Sequence, residues 1–287
     1  MDAPRFELRG VFEAIRAERG FPADLGGLWA AGSLQGLARP TVALVGTRAA
    51  TPYGRRLARA FARDLGAAGC SIISGLALGI DAAAHEGALE AGAATIGVLG
   101  GGHARFFPKR NAGLAERMIS AGGLVLSPYA PEHLPQPHQF LERNGVVAAL
   151  ADAVVVIEAP ARSGALNTAG WAAGRIPVLA VPGDVDRAHV EGCHALLRDG
   201  ATLARSAADV LEELKLSSGI TPRPEKREPD DPLARRLLAV LDAGETDLDE
   251  LVRLVGGTAP PVLAALAMLE LQGVVERRDA ARFARML

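Results

Sequence analysis

Short apolar runs of five to seven residues, separated by segments of helical pattern, are the feature that most constrains the fold of this chain. Runs of this length that are apolar throughout predict strands buried on both faces, as in a parallel sheet covered by helices. The six runs are TVALVG (41–46), CSIIS (70–74), ATIGVLG (94–100), GLVLS (123–127), AVVVIE (153–158) and PVLAV (177–181). We therefore expect a doubly wound α/β sheet with a ligand crevice at the carboxyl ends of its strands.

The length of 287 residues suggests two domains, at roughly 150 residues per domain. The segment 215–231 is polar and contains three prolines, which is typical of a linker. It divides the chain into a short N-terminal extension (1–39), an α/β domain (40–214), the linker, and a small C-terminal domain (232–287).

The C-terminal domain has a different pattern. Helices are predicted over 233–243, 247–255 and 259–272, with a tight Gly-Gly-Thr turn at 256–258 and a short terminal hairpin. Three helices followed by a hairpin predict a winged helix-turn-helix. The candidate recognition helix, 259–272, contains no Lys or Arg, so a module that contacts only protein stays open beside DNA binding.

Charge and cysteine content limit the classes of partner and compartment. The net charge is −2, so no global field attracts nucleic acid or membrane, and an anion site must be built locally. Two cysteines cannot form a disulfide framework, which fits a reducing cytosol. The sequence shows neither a long apolar run nor a signal-peptide pattern. We expect a soluble cytoplasmic protein without membrane insertion.

The turn after the first predicted strand, 45–54, has the design of an anion site. Pro52 stands near the start of the following helix, where free backbone N–H groups and the helix dipole can hold a phosphate, and Arg48 can add two hydrogen bonds. A purely structural turn is the alternative. The spacing is not GxGxxG and no acidic residue ends the second strand, which disfavours a dinucleotide cofactor.

Two further turns carry positive charge. Arg162 and Ser163 precede a predicted helix and form a second candidate anion site. Lys109 follows Phe106 and Phe107, a pairing of cation and aromatic rings that suits single-stranded nucleic acid. We expect at least one of the two phenylalanines to belong to the core.

The sequence offers no set of catalytic residues. Asp81 and His85 are four residues apart on one helical face, but without a third partner we interpret Asp81 as a cap that fixes the loop or orients His85. The motifs GxSxG, HExxH, the P-loop and CxxC are absent. These observations predict a phosphate-binding protein that is not an enzyme, with no catalytic residue, metal or cofactor.

Five segments, in their order and spacing, resemble the DNA-processing protein A family (DprA, also called Smf). They are VGTRAATPYG, SGLALGIDAAAHEGAL, FFPKRN, EAPARSGALNTA and GCHALLRDGA. The resemblance covers 40–214, and the tail resembles the winged-helix domain of many members. It implies a Rossmann-like domain that binds single-stranded DNA without hydrolysing it. It further implies a homodimer that loads the RecA recombinase onto strands coated with SSB protein during natural transformation.

Carried over by position, the resemblance implies a single-stranded DNA site of ten residues. They are Gly46, Thr47, Arg48, Lys109, Asn111, Phe140, Arg143, Asn144, Ser163 and Gly164. The chain departs from the family pattern FPxRN at Leu141 and Glu142, which predicts a weaker phosphate contact there. The region before the first strand is too short for the helical domain that many members carry, although 28–34 fits a short lead-in strand.

Two other functions stay open from the sequence. A related Rossmann-like group cleaves nucleoside monophosphates into base and ribose phosphate, but its signature PGGxGTxxE is absent here. A scaffold whose tail binds only protein is the second alternative.

Overall fold

The computed structural model describes residues 6–7, 28–216, 231–244, 246–271, 274–277 and 282–285. The chain divides into two compact units, Met1–Ile220 and Thr221–Leu287, and their boundary falls within the predicted linker. Most of that linker, 217–230, lies outside the described residues. Leu214 and Leu216 pack against the core of the first unit.

In its described part, the first unit is built on a nine-stranded sheet with the order β1-β2-β6-β5-β4-β3-β7-β8-β9. The strands are β1 (Phe6–Glu7), β2 (Trp29–Gly32), β3 (Thr41–Gly46), β4 (Ser71–Ser74), β5 (Thr95–Val98), β6 (Leu124–Ser127), β7 (Ala153–Glu158), β8 (Val178–Ala180) and β9 (Thr202–Leu203). All neighbours from β6 to β9 are parallel, while β2 is antiparallel to β6 and β1 to β2. Each of the six predicted runs contains a strand.

Helices cover both faces of this sheet. They are α1 (Pro52–Ala67), α2 (Ile80–Glu90), α3 (Ala112–Ser120), α4 (Gln139–Leu150), α5 (Gly164–Ala172), α6 (Glu191–Arg198) and α7 (Ala207–Glu213). Successive residues of a strand point to opposite faces, so Val42 and Leu44 pack with α1, α2 and α7, while Ala43 and Val45 pack with α4 and α5. Burial on both faces is why the runs are apolar throughout, and the predicted doubly wound sheet is confirmed.

The direction of winding changes between β3 and β7, which are neighbours in the sheet. The connection after β3 leads to α1 on one face, whereas the connection after β7 leads to α5 on the other. Two loops that diverge in this way leave a crevice at the carboxyl ends of their strands. The topology therefore places a cleft beside β3 and β7.

The second unit is a winged helix, as predicted. Its elements are α8 (Pro232–Ala243), β10 (Thr246–Asp247), α9 (Leu248–Val255), α10 (Ala259–Leu271), β11 (Val275–Arg277) and β12 (Arg282–Arg285), and its three strands form an antiparallel sheet in the order β10-β12-β11. Asp247 caps α9 by accepting a hydrogen bond from the backbone N–H of Glu250 (2.8 Å). Gly256 makes the turn that follows, with a φ of +67° that suits glycine.

The outward face of α10 is apolar. Val262, Leu266 and Leu269 are buried in the core of the unit, while Leu263 and Met268 are exposed. Among the described residues, no single helix is long and apolar enough to cross a membrane. Helices α9 and α10 have the required length and apolar character only when they are taken together, and this pair is bent by 108°. Because α10 has no Lys or Arg, it lacks the side chains that most often read bases and phosphates.

Histidine 85 is buried inside α2 and is held by a threonine of the sheet. Its Nδ1 lies 2.7 Å from the hydroxyl of Thr95, which itself donates to the carbonyl of Ile72 (3.2 Å). The carboxylate of Asp81 binds the loop at Gly75 and Ala77, so it fixes the loop as predicted, and the hydrogen bond that orients His85 comes from Thr95. Burial, together with the charge of Arg143, lowers the pKa of His85 to about 3.

We expect the free energy of unfolding of His85→Gln to fall less steeply than that of the wild type as the pH is lowered. The native pKa lies below the unfolded value of 6.5, so His85 contributes stability above pH 6.5 that is lost as the pH falls towards 3. The wild-type free energy of unfolding should lose up to about 1.4 kcal/mol per pH unit from this group. Urea unfolding at a series of pH values measures the slope, with His189→Gln on an exposed residue as control. Equal slopes for His85→Gln and the wild type would contradict this assignment.

Candidate nucleic-acid interface

A cleft of about 300 Å³ opens at the carboxyl ends of β3 and β7, between the start of α5 and the first turns of α4. Eight of the ten predicted site residues line it: Gly46, Thr47, Arg48, Phe140, Arg143, Asn144, Ser163 and Gly164. Leu141 and Arg162 complete its rim. Lys109 and Asn111 do not line the cleft. The structure thus brings together residues that are more than 100 positions apart in sequence.

The start of α1, one of the predicted phosphate sites, already holds a carboxylate. The backbone N–H of Thr51 donates to Oε2 of Glu158 (2.8 Å), and the Thr51 hydroxyl donates to Oε1 (2.7 Å). Glu158 is buried and ends β7. The chain thus supplies its own anion at this helix start, which disfavours a phosphate at Thr51, while Gly46, Thr47 and Arg48 of the same turn line the cleft.

A second carboxylate, in the first turn of α2, binds the loop that precedes this helix. The carboxylate of Asp81 accepts hydrogen bonds from the backbone N–H groups of Gly75 (3.0 Å) and Ala77 (3.3 Å). Burial raises the pKa of Asp81, and the charge of Arg143 opposes this shift. Asp81 thus lines the cleft with its carboxylate hydrogen-bonded to the loop after β4.

Arg143 is buried beneath the cleft, where its guanidinium joins two loops. Nη1 donates to the carbonyl oxygens of Gly75 and Val98, the latter at 2.7 Å. Burial lowers the pKa of Arg143 to about 10, against the attraction of Asp81, so it stays charged at neutral pH. These contacts favour a positioning role for Arg143, although it also lines the cleft.

The start of α5 faces the cleft. The hydroxyl of Ser163 accepts from the backbone N–H of Ala165 (3.3 Å), and a Cβ added to Gly164 would meet open space. The side-chain amide of Asn144 donates to the carbonyl of Gly164 (3.1 Å) and to Oδ1 of Asn167 (3.2 Å), which fixes this turn against α4. With the exposed side chain of Arg162 beside it, this helix start can accept an anion from the cleft.

Arg48 and Phe140 form the other side of the cleft. The exposed guanidinium of Arg48 lies over the ring of Phe140, 5.3 Å from its centroid. A Cβ on Gly100 would lie only 2.7 Å from the same ring, so the ring can occupy this position only because residue 100 has no side chain. The pair presents a planar cation supported by an aromatic ring, a surface suited to phosphates and bases.

The loop 106–111 lies outside the cleft. Asn111 is buried and donates to the carbonyl oxygens of Leu76 (2.9 Å) and Ala77 (3.0 Å), so it fixes the loop after β4. Lys109 is exposed. Phe106 packs against the core while Phe107 is exposed, as expected for a pair with one core member.

The two residues that depart from the family pattern, Leu141 and Glu142, lie in different surroundings. Leu141 lines the cleft and is exposed, where it adds apolar surface. Glu142 points to Tyr129, whose hydroxyl donates to its carboxylate at 2.6 Å. Burial raises the pKa of Tyr129 and this bond adds to the shift. The acidic side chain is thereby engaged outside the cleft lining.

A family model described as DNA recombination-mediator protein A matches residues 22–215, and the DprA winged helix domain matches residues 221–280. The chain belongs to this family. The resemblance that five sequence segments indicated is therefore confirmed, as is the winged helix at the C-terminus.

Relatives in this family cover most of the chain. The DNA processing protein DprA of Mycobacterium tuberculosis is 41% identical over 263 residues, which are 88% of this chain and 67% of the relative. Protein Smf of Escherichia coli is 35% identical over 258 residues, 86% of this chain and 68% of the relative.

Two solved structures of the family share the fold. The X-ray structure of DNA processing protein A from Streptococcus pneumoniae gives a TM-score of 0.67 at 37% identity, covering 74% of this chain and 75% of that one. The Helicobacter pylori protein, whose structure was described for its single-stranded DNA binding mode, gives 0.60 at 31% identity, covering 66% and 86%.

We expect substitution of Arg143 to destabilise the protein much more than substitution of Arg48. In this member of the DprA family Arg143→Ala leaves Asp81 buried without its cation and frees two carbonyl oxygens, so we expect a loss of about 3–5 kcal/mol. Arg48→Ala removes an exposed side chain and should change stability by no more than about 0.5 kcal/mol. Urea unfolding monitored by circular dichroism measures both. A stable Arg143→Ala protein would contradict the positioning role.

Proposed function

We propose that this protein binds single-stranded DNA through the cleft beside β3 and β7. The observation that carries the proposal is the pairing of Arg48 and Phe140 opposite the open start of α5. A guanidinium and a helix N-terminus are both phosphate ligands, and an aromatic ring supports a base. The binding reported for the Helicobacter pylori relative supports this assignment.

The charge distribution favours a strand over a duplex. With a net charge of −2, the chain lacks the broad basic surface that neutralises many duplex phosphates. Its exposed cations at the site are few, and they stand beside aromatic rings that can only contact bases released from pairing. We infer binding to unpaired strands with a small number of phosphate contacts.

We propose a binding role without catalysis. Two carboxylates at this end of the sheet, Asp81 and Glu158, both accept hydrogen bonds from backbone N–H groups and so hold the surrounding turns in place. Within the described ranges no group of three or more His, Cys, Asp or Glu residues could hold a metal ion. The side chains and the helix start at this site are groups that bind phosphates and bases.

We further propose that the protein acts in the cytoplasm as a homodimer that loads RecA onto single strands covered by SSB protein, in transformation or recombination. The family description, DNA recombination-mediator protein A, supports this role. Both cysteines are free and buried, as suits a reducing compartment.

Fluorescence anisotropy with single-stranded and duplex oligonucleotides of equal length, over a salt series, tests the binding proposal. We expect tighter binding to the single strand. Arg48→Ala and Lys109→Ala should each weaken it, and the slope of log affinity against log salt should fall by about 0.7 for each phosphate that the variant no longer neutralises. Arg48→Ala should have the larger effect because its planar group can make two bonds to one phosphate.

Arg117→Ala is the matched control. Arg117 is exposed near the end of α3, and this end of the helix lies at the amino ends of the strands, away from the cleft. It should leave both the affinity and the salt slope unchanged. Equal affinity for duplex and single strand, or a double variant of Arg48 and Lys109 that binds normally, would overturn the assignment.

The loading role has its own test. RecA filament formation on a single strand pre-coated with SSB protein should start sooner when this protein is added, and the acceleration should disappear with Arg48→Ala. If Arg48→Ala accelerates RecA as well as the wild type does, loading does not depend on the cleft. No acceleration by the wild type would reject the loading role while leaving strand binding intact.

A further inference from the structure

Phe107 is a large aromatic side chain that the core does not use. It is 49% exposed, whereas its neighbour Phe106 packs under α3. Its ring lies 5.8 Å from the ring of Phe140, centroid to centroid. Phe107 does not line the cleft, but its contact with Phe140, which does, places an exposed aromatic face next to the cleft where a base can stack.

The rings around the cleft form a continuous path. Phe140 contacts both Arg48 and Phe107 and approaches Gly100 closely, and its side chain is half-buried. Phe107 has the more exposed ring of the two. Lys109, two residues further along the chain, is exposed on the same loop. The path therefore runs from a cation in the cleft, across two rings, to a loop that carries a second cation.

The angle between the two rings has a consequence for duplex DNA. Their planes are tilted by 57°. Bases that lie flat against the two rings must be tilted by a similar angle, whereas neighbouring bases in a duplex are parallel and about 3.4 Å apart along the axis. Only a strand whose bases are free of pairing can follow both surfaces.

We propose that Phe107 is a base-stacking subsite at the rim of the cleft, which takes one unpaired base and makes the protein prefer single strands over duplex. The proposal rests on the proposed function of the cleft and extends it by one nucleotide. Phe140 supports the ring from within, while Arg48 and Lys109 contact the phosphates on either side. An exposed ring on a loop binds any base, so this subsite adds affinity without sequence preference.

Variants of Phe107 test this subsite by fluorescence anisotropy with oligothymidine and with a duplex of equal length. Phe107→Ala and Phe107→Leu should each weaken single-strand binding about tenfold, because both lack the aromatic face, and should leave duplex binding unchanged. The salt slope should stay at the wild-type value because no charge is removed. Phe107→Trp should bind as well as the wild type or better. Its added fluorescence should be quenched by oligothymidine, beyond any change shown by Trp29 and Trp171 in the wild type.

Leu203→Ala is the matched control, because Leu203 has a similar exposed fraction, 44%, on β9 at the far side of the sheet. It should bind like the wild type. If Phe107→Leu binds as well as the wild type, or the Phe107→Ala protein loses duplex and single-strand binding equally, the stacking subsite is overturned. A wild-type protein that binds no single strand would instead overturn the function of the cleft itself, so the two failures are distinguishable.

Discussion

The buried guanidinium of Arg143 holds together the loops on which the cleft is built. It donates to the carbonyl oxygens of Gly75 and Val98, at the carboxyl ends of β4 and β5, and lies near Asp81, which binds the same loop through its backbone N–H groups. A buried charge is tolerated only with such partners, and removing one leaves the others uncompensated. These hydrogen bonds connect the loops at the base of the cleft, and they thereby fix the backbone from which the exposed residues of the cleft extend.

Helix starts decide where an anion can bind. Four helices begin beside the cleft, and two of them have carboxylates of the chain near their starts: Glu158 binds the start of α1, and Asp81, in the first turn of α2, binds the loop before it. A third, α5, opens onto the cleft through Gly164. Because a carboxylate near a helix start repels a second anion, the groups of the cleft that favour an anion are Arg48 on one side and Arg162 with the start of α5 on the other. Arg48 and Arg162 are therefore a local concentration of exposed positive charge in a chain with a net charge of −2.

The two units differ in what they offer to a partner. The first unit combines cations, aromatic rings and a helix start that faces the cleft, all at the carboxyl ends of the strands. The second unit has the winged-helix architecture, yet its helix α10 exposes Leu263 and Met268 where a reader of the major groove carries polar or basic side chains. Architecture alone therefore does not assign DNA binding to the second unit, and the chemistry for it lies in the first.

The sequence by itself determined the fold class, the strand order along the chain and the family, because uninterrupted apolar runs can only be buried on both faces and because turn motifs are local. It also located eight of the ten proposed residues in the cleft. Only the tertiary structure decided what each does. The carboxylate of Glu158 reaches Thr51 from a strand 107 residues away, Asn111 turns inward to Leu76, and Phe107 rather than Phe106 faces the solvent. These placements depend on which groups the packing of strands, helices and loops brings into contact, and long-range proximity of that kind is not visible in a local sequence pattern.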